Sequence, residues 1–131
     1  IAFYLKLRSE QKNILISEKY IQANIYLTSN KKDEAKKIYE EIIGDNNQFY
    51  SILAFNKILE KNLIKDEKII LEYFNLLQKS ISEKELKDLV NLKKALFLIR
   101  SSDSQSGYEL LEKLVDDNSN LKSIAEQIIK K

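Results

Sequence analysis

Proline is absent from this chain, and glycine occurs only twice, at Gly44 and Gly107. Sandwiches, barrels and βα units need turn residues at many places, because tight reversals call for fixed or positive φ values. A chain this poor in them is restricted to helices joined by short polar loops. The apolar pattern agrees, since large apolar residues recur at three- and four-residue spacing nearly throughout. The apolar fraction of 44% with 32% charged residues belongs to a globular protein. At 131 residues the chain is long enough to bury one continuous core.

The spacing predicts seven helices. The first runs from about Phe3 to Ser29, with Tyr20, Ala23, Tyr26 and Leu27 on one face of its second half. Asp33 and Glu34 open the second, placing negative charge at its N-terminus. Gly44 follows Ile42 and Ile43 as a C-cap glycine would. The third covers roughly Gln48 to Lys61 and the fourth Asp66 to Lys79. Ser82 with Glu85 three residues on reads as a capping box for the fifth. The sixth carries Tyr108, Leu110, Leu111, Leu114 and Val115, and the last Leu121, Ile124, Ala125, Ile128 and Ile129.

The helices pair, and the pairs match. At an offset of 72, Ala23 falls on Ala95, Leu27 on Ile99, Ala35 on Gly107, Tyr39 on Leu111 and Asn46 on Asn118. Small residues meet small ones and large apolar residues meet large ones. The offset is close to two units of roughly 34 residues. A middle unit matches at an offset of 34, with Tyr39 on Tyr73 and Ile42 and Ile43 on Leu76 and Leu77. A plain antiparallel bundle shares the composition and the short loops, but a match over both helices of a unit favours repeats.

In Ala23, Tyr26, Ala35, Tyr39 and Ile42, and again in Ala95, Leu98, Gly107, Leu111 and Leu114, the chain resembles the tetratricopeptide repeat. Departures are present: Lys19 holds the first aromatic position, Asn47 stands where a unit usually closes on proline, and Ile69 replaces the expected Ala. The resemblance implies an all-α fold of antiparallel hairpins stacked as a short right-handed superhelix. Its parts are a leading extension (residues 1–13), hairpins at 14–47, 48–80 and 81–117, and a closing helix at 118–131, all in one domain.

A long first helix, three degenerate hairpins, a lone closing helix and the run Tyr50-Ser-Ile-Leu53-Ala54 are also similar to the periplasmic domain of YfgM-type proteins, ancillary subunits of the SecYEG translocon. This implies a scaffold or adaptor for translocon or chaperone partners, tethered to the inner membrane by a helix ahead of Ile1. Ile1-Ala-Phe-Tyr-Leu5 fits the end of such a helix, with Tyr4, Lys6 and Arg8 near the interface. Equally, Phe3, Tyr4 and Leu7 could cap the first hairpin. Lys6, Arg8 and Lys12 are basic, and basic flanks favour the cytoplasmic side. A soluble, self-associating helical protein is the alternative.

Chemistry finds little to work with. There is no His and no Cys, hence no imidazole base, no thiolate and none of the usual soft metal ligands. The carboxylate pairs Glu40/Glu41, Glu83/Glu85 and Asp116/Asp117 do not face each other on a helix. No phosphate loop, nucleophile elbow or HExxH run is present, so neither catalysis nor a cofactor or metal is expected. Basic and acidic residues are interspersed at a net charge of +2, and Arg8 and Arg100 are the only arginines. That speaks against a nucleic-acid partner.

A protein or peptide partner is the expectation that remains. In repeats of this class the first helix of each hairpin lines the concave face. By that resemblance the binding residues are Tyr20, Asn24, Leu27 and Thr28, then Ser51, Phe55 and Ile58, then Leu92, Leu96, Ile99 and Arg100. Lys122 and Glu126 follow from the closing helix. The strip is apolar and suits an amphipathic helix or an extended apolar peptide. Asn24 matches the asparagine of the carboxylate clamp in chaperone-tail repeats, but Tyr20 and Ile52 occupy the accompanying positions, which argues against acidic tails.

Overall fold

Seven helices and no strand make up the computed structural model, which describes residues 1–131. In order they are α1 (Ala2–Thr28), α2 (Lys32–Ile43), α3 (Gln48–Glu60), α4 (Glu67–Ser80), α5 (Lys84–Arg100), α6 (Ser104–Asp116) and α7 (Lys122–Lys130). The all-α reading holds. The chain forms two compact units, Ile1–Ile70 and Leu71–Lys131, with the boundary inside α4.

In the first unit α1 packs on α2 and α2 on α3. Its interior is built from Ile16, Ala23, Ala35, Tyr39, Ile42, Ile52, Ala54, Phe55, Ile58 and Ile70. In the second unit α5 packs on α6 and α6 on α7. There Leu92, Ala95, Leu111, Leu114 and Ala125 form a core, with Leu96, Ile99, Leu110, Val115, Leu121, Ile128 and Ile129 against it. α4 meets α5 within this unit through the stacked rings of Phe74 and Phe97, 5.8 Å apart.

Small residues sit where the tight pairs cross. Ala23, Ala35 and Ala95 are fully buried. At Gly107 a β-carbon would lie 2.7 Å from the Ala95 carbonyl oxygen and 2.7 Å from Ile99 Cγ1. The backbone of α6 therefore rests directly on α5, and only glycine allows it.

The middle unit lies one residue away from its expected register. Ile70, Phe74 and Leu77 are buried, while Ile69 and Leu76 are exposed. The buried triplets are thus Ala35-Tyr39-Ile42, Ile70-Phe74-Leu77 and Gly107-Leu111-Leu114, and Tyr39 corresponds to Phe74 rather than Tyr73. The runs Ile69-Ile70, Tyr73-Phe74 and Leu76-Leu77 are doubly apolar, so sequence alone leaves both registers open.

Helix ends rely on asparagine. Four residues have positive φ, namely Asn30, Asn46, Asn62 and Asn118, and no glycine does. At three of them the chain closes in the same way. Lys31 N–H donates to Tyr26 O (2.8 Å), Leu63 to Ile58 O (3.0 Å) and Ser119 to Leu114 O (3.1 Å), and each preceding Asn N–H reaches a carbonyl three residues back. These are Schellman closures, with Asn in the left-handed position that glycine usually fills. Gly44 does end α2, but in a right-handed conformation at φ −79°; the left-handed residue of that loop is Asn46.

N-termini are capped by Asn47, whose side chain accepts from Tyr50 N–H at 3.0 Å, and by Asp103, which accepts from Ser106 N–H at 3.4 Å. The N-cap of α5 lies one residue beyond the expected Ser82. α5 starts at Lys84 with Glu83 as its N-cap, and no side-chain cap bond is made there. Glu85 instead accepts from Asn120 Nδ2 at 3.3 Å.

Gly107 and Gly44 should respond oppositely to the same methyl group. Gly107→Ala is expected to cost about 1–3 kcal/mol, since neither backbone can yield freely. At Gly44 the added carbon would meet only ordinary contacts, the nearest at 3.5 Å. Gly44→Ala should be neutral or stabilise by up to about 1 kcal/mol. Urea titrations followed by far-UV circular dichroism measure both.

Candidate interaction surfaces

In the first unit, four aromatic rings and one amide gather where α1, α2 and α3 meet. The Tyr20 ring lies 6.0 Å from that of Tyr39 and 5.8 Å from that of Tyr50, and Phe49 meets Tyr50 edge-on at 5.3 Å. The Tyr39 hydroxyl donates to Asn24 Oδ1. Burial pushes the Tyr39 phenol up to about 12, with Tyr20 and Glu60 adding to the effect. Burial also raises Tyr20, opposed in part by its hydrogen bond with Asn24 and helped by Glu60 and Tyr50. Both phenols are neutral hydrogen-bonding groups at physiological pH. Asn24 is already engaged by Tyr39.

In the second unit a polar ladder joins α4 to α5. Gln78 Nε2 donates to Asn91 Oδ1 at 2.6 Å, and Lys94 Nζ donates to Gln78 Oε1 at 3.0 Å and to Asn75 Oδ1 at 2.9 Å. Burial lowers the Lys94 ammonium below the ordinary lysine value. A second set pins the turn before α7 to the start of α5. Buried Ser119 donates to Asp88 Oδ2 at 2.7 Å, and Lys84 approaches the same oxygen at 2.9 Å. Burial alone would raise the Asp88 carboxyl. The bonds from Lys84 and Ser119 and the Lys84 charge outweigh it and hold the group below its usual value.

The expected binding residues fall into three groups. Ser51, Phe55, Ile58 and Leu92 are interior. Ser51 Oγ donates at 3.4 Å to the carbonyls of Ile42 and Ile43, tying α3 to the end of α2. These four residues pack the units and are not open to a partner. The expectation gave α3 a free face, but α1 and α2 both pack on it. Tyr20, Asn24, Leu27, Leu96 and Ile99 are half-buried. Thr28 and Arg100 are exposed, and Thr28 Oγ1 donates back to Ile25 O at 2.9 Å. On α7, Lys122 and Glu126 pair at 4.0 Å.

Exposed apolar surface lies elsewhere. Residues 1–15 of α1 are exposed, including Ile1, Phe3, Tyr4, Leu5 and Leu7. Ile14, Ile21 and Ile25 continue that exposure along the half of α1 that packs on α2. Phe49 is exposed at the start of α3 and Ile124 on α7. On α3 the Asn56 Oδ1 atom is buried and accepts no hydrogen bond. A groove between α6 and α7 is lined by Glu112, Val115, Asp116, Glu126, Ile129 and Lys130. No helix is long and apolar enough to cross a membrane. No group of three or more carboxylates is placed to hold a metal ion.

Comparison with known proteins brings no relative. No family model matches the chain, and neither a curated protein nor a solved structure matches it.

Two substitutions separate the internal polar bonds. Tyr39→Phe removes the bond to Asn24 and should cost about 1 kcal/mol at neutral pH. A raised phenol contributes stability that is intact below its unfolded value of about 10 and lost as pH rises toward 12. The parent should therefore lose stability faster than the variant over that window, as read by thermal melts in alkaline buffers. Asp88→Asn should destabilise by about 1–2 kcal/mol at pH 7. Because the folded carboxyl is depressed, that deficit should shrink as pH falls below the ordinary carboxylate value near 4. Melts between pH 7 and pH 3 measure it.

Proposed function

We propose that this chain is a non-catalytic protein–protein interaction domain of a membrane-tethered, tetratricopeptide-like protein, acting as a periplasmic scaffold or adaptor for translocon or chaperone partners. The observation that carries this reading is the first half of α1, which is helical and wholly exposed. It presents Ile1, Phe3, Tyr4 and Leu5 at its tip and Lys6, Arg8 and Lys12 just behind. Apolar and aromatic side chains at one end of a bare helix, followed by cations, suit a stalk that leaves a membrane interface and leads into a packed fold. Helical hairpins closed on Ala23/Ala35 and Ala95/Gly107 support the repeat side of the reading. With four of the expected contacts interior, the residues left for a partner are Tyr20, Leu27 and Thr28 in the first unit and, separately, Leu96, Ile99 and Arg100 in the second.

The test uses the full-length protein in its native cell. A photo-cross-linker at Leu96 or Arg100 should give discrete adducts with an identified translocon subunit or periplasmic chaperone, and the protein should fractionate with the inner membrane. Recovery in the soluble fraction removes the tether. Adducts no stronger than those from a linker at exposed Lys79 remove the proposed surface.

A further inference from the structure

We propose that the groove between α6 and α7 receives an arginine side chain of a partner protein or peptide, with its aliphatic stem on Val115 and Ile129 and its guanidinium among Glu112, Asp116 and Glu126. The lining residues come from matching positions on the two helices. On α6 they are Glu112, Val115 and Asp116, and on α7 Glu126, Ile129 and Lys130, each set spaced by three and then one. Residues at that spacing share one face of a helix. Both helices thus turn one aliphatic and two charged groups toward the groove. The scaffold reading draws on Leu96, Ile99 and Arg100 of α5 in this unit, so the groove stands apart from it.

Charge selects a cation. Three carboxylates and one ammonium leave the groove two charges negative, on a chain whose net charge is +2. Local preferences are broken to place them. Asp116 is the last residue of α6 and Asp117 its C-cap, where the helix dipole favours bases instead. Glu112 and Asp116 are like charges four residues apart, which repel across one turn. Lys113, the base of that last turn, lines a different groove, between α5 and α6. Neither Glu112 nor Asp116 forms an ion pair, and Glu126 has only Lys122 at 4.0 Å, with side chains 41% and 45% exposed. Such departures from local preference are expected where a surface serves a partner.

Shape and chemistry narrow the cation. The carboxylates do not converge on one point as a metal ion would need. A metal ion would also leave Val115 and Ile129 without a role. The cavity volume of about 220 Å³ falls below the roughly 300–1,000 Å³ of pockets that enclose a whole small molecule, and suits one side chain. A long basic residue supplies both parts, an apolar stem and a charged head. A neutral apolar side chain would instead leave the carboxylates desolvated and unpaired. Arginine fits better than lysine. Its planar guanidinium presents five donors in a fork and is weakly hydrated, whereas the ammonium is a compact, strongly hydrated point charge.

The probe is the tripeptide N-acetyl-Leu-Arg-Leu-amide, titrated into the intact isotope-labelled chain to about 10 mM and followed by amide chemical shifts. Shifts should concentrate from Glu112 to Asp116 in α6 and from Glu126 to Lys130 in α7. Glu112 and Asp116 are exposed, so the double variant Glu112→Gln/Asp116→Asn keeps the fold. It should bind roughly tenfold more weakly. It should also melt above the parent, because the like-charge pair and the carboxylate at the helix end are gone. Lysine in place of the peptide's arginine should weaken binding roughly threefold, and glutamate should abolish it. No saturable shift at these residues would overturn the site. Equal binding of the glutamate peptide would reduce it to an apolar crevice, and equal binding of the lysine peptide would overturn the assignment to a guanidinium. A double variant that melts below the parent would make the carboxylates structural and overturn their binding role. These readouts use the chain free in solution; membrane fractionation and cross-linking at Arg100 decide the scaffold reading separately.

Discussion

At Gly107 there is no room for a methyl group, because the carbonyl oxygen of Ala95 already occupies the space a β-carbon would need. Much else follows from that approach. Helix axes separate by 8–10 Å according to the side chains at the crossing. A glycine or alanine there lets the flanking Leu111 and Leu114, or Tyr39 and Ile42, reach full burial. The first and last hairpins share this device through Ala23 with Ala35 and Ala95 with Gly107. The middle stretch does not, since Ile58 and Ile70 stand at the corresponding positions and both are large. The division between the two compact units falls within α4, directly after Ile70.

The number, order and approximate ends of the helices were legible in the sequence, because period and loop polarity act locally. So was the small-residue match between outer hairpins, which depends only on side-chain size. The middle register was not. Three doubly apolar steps from Ile69 to Leu77 satisfy either alignment, and the choice between them is made by packing. Ser82 and Glu85 had the spacing of a capping box, yet the N-cap is Glu83 and Glu85 accepts from Asn120, more than thirty residues away. Long-range partners of that kind leave no mark in a local pattern.

The candidate surface was legible only in part. Tyr20, Leu27, Leu96, Ile99 and Arg100 keep some exposure, while Ser51, Phe55, Ile58 and Leu92 pack inside. A helix-A face read from period alone does not distinguish an open groove from a buried seam, because both are apolar. The outer side of α1 was not read from the sequence. Leu7, Ile14 and Ile21 fall on the side away from Ala23 and stay exposed. Charged groups show the same division of labour. Asp88 and Lys94 stand on helix surfaces by sequence, yet Asp88 holds the turn before α7 to α5 and Lys94 holds α5 to α4.

Asparagine at every left-handed turn has a consequence for chemical ageing. The side-chain amide is among the thermolabile groups of proteins. Its loss would turn Asn30, Asn62 or Asn118 into an aspartate just beyond the last turn of a helix, where the exposed carbonyls already carry partial negative charge. The new carboxylate would oppose that dipole at the point where the chain reverses. Glycine in the same place would carry no such clock. The residues that let this chain fold almost without glycine are thus also the ones through which warm storage would wear it out, one helix end at a time.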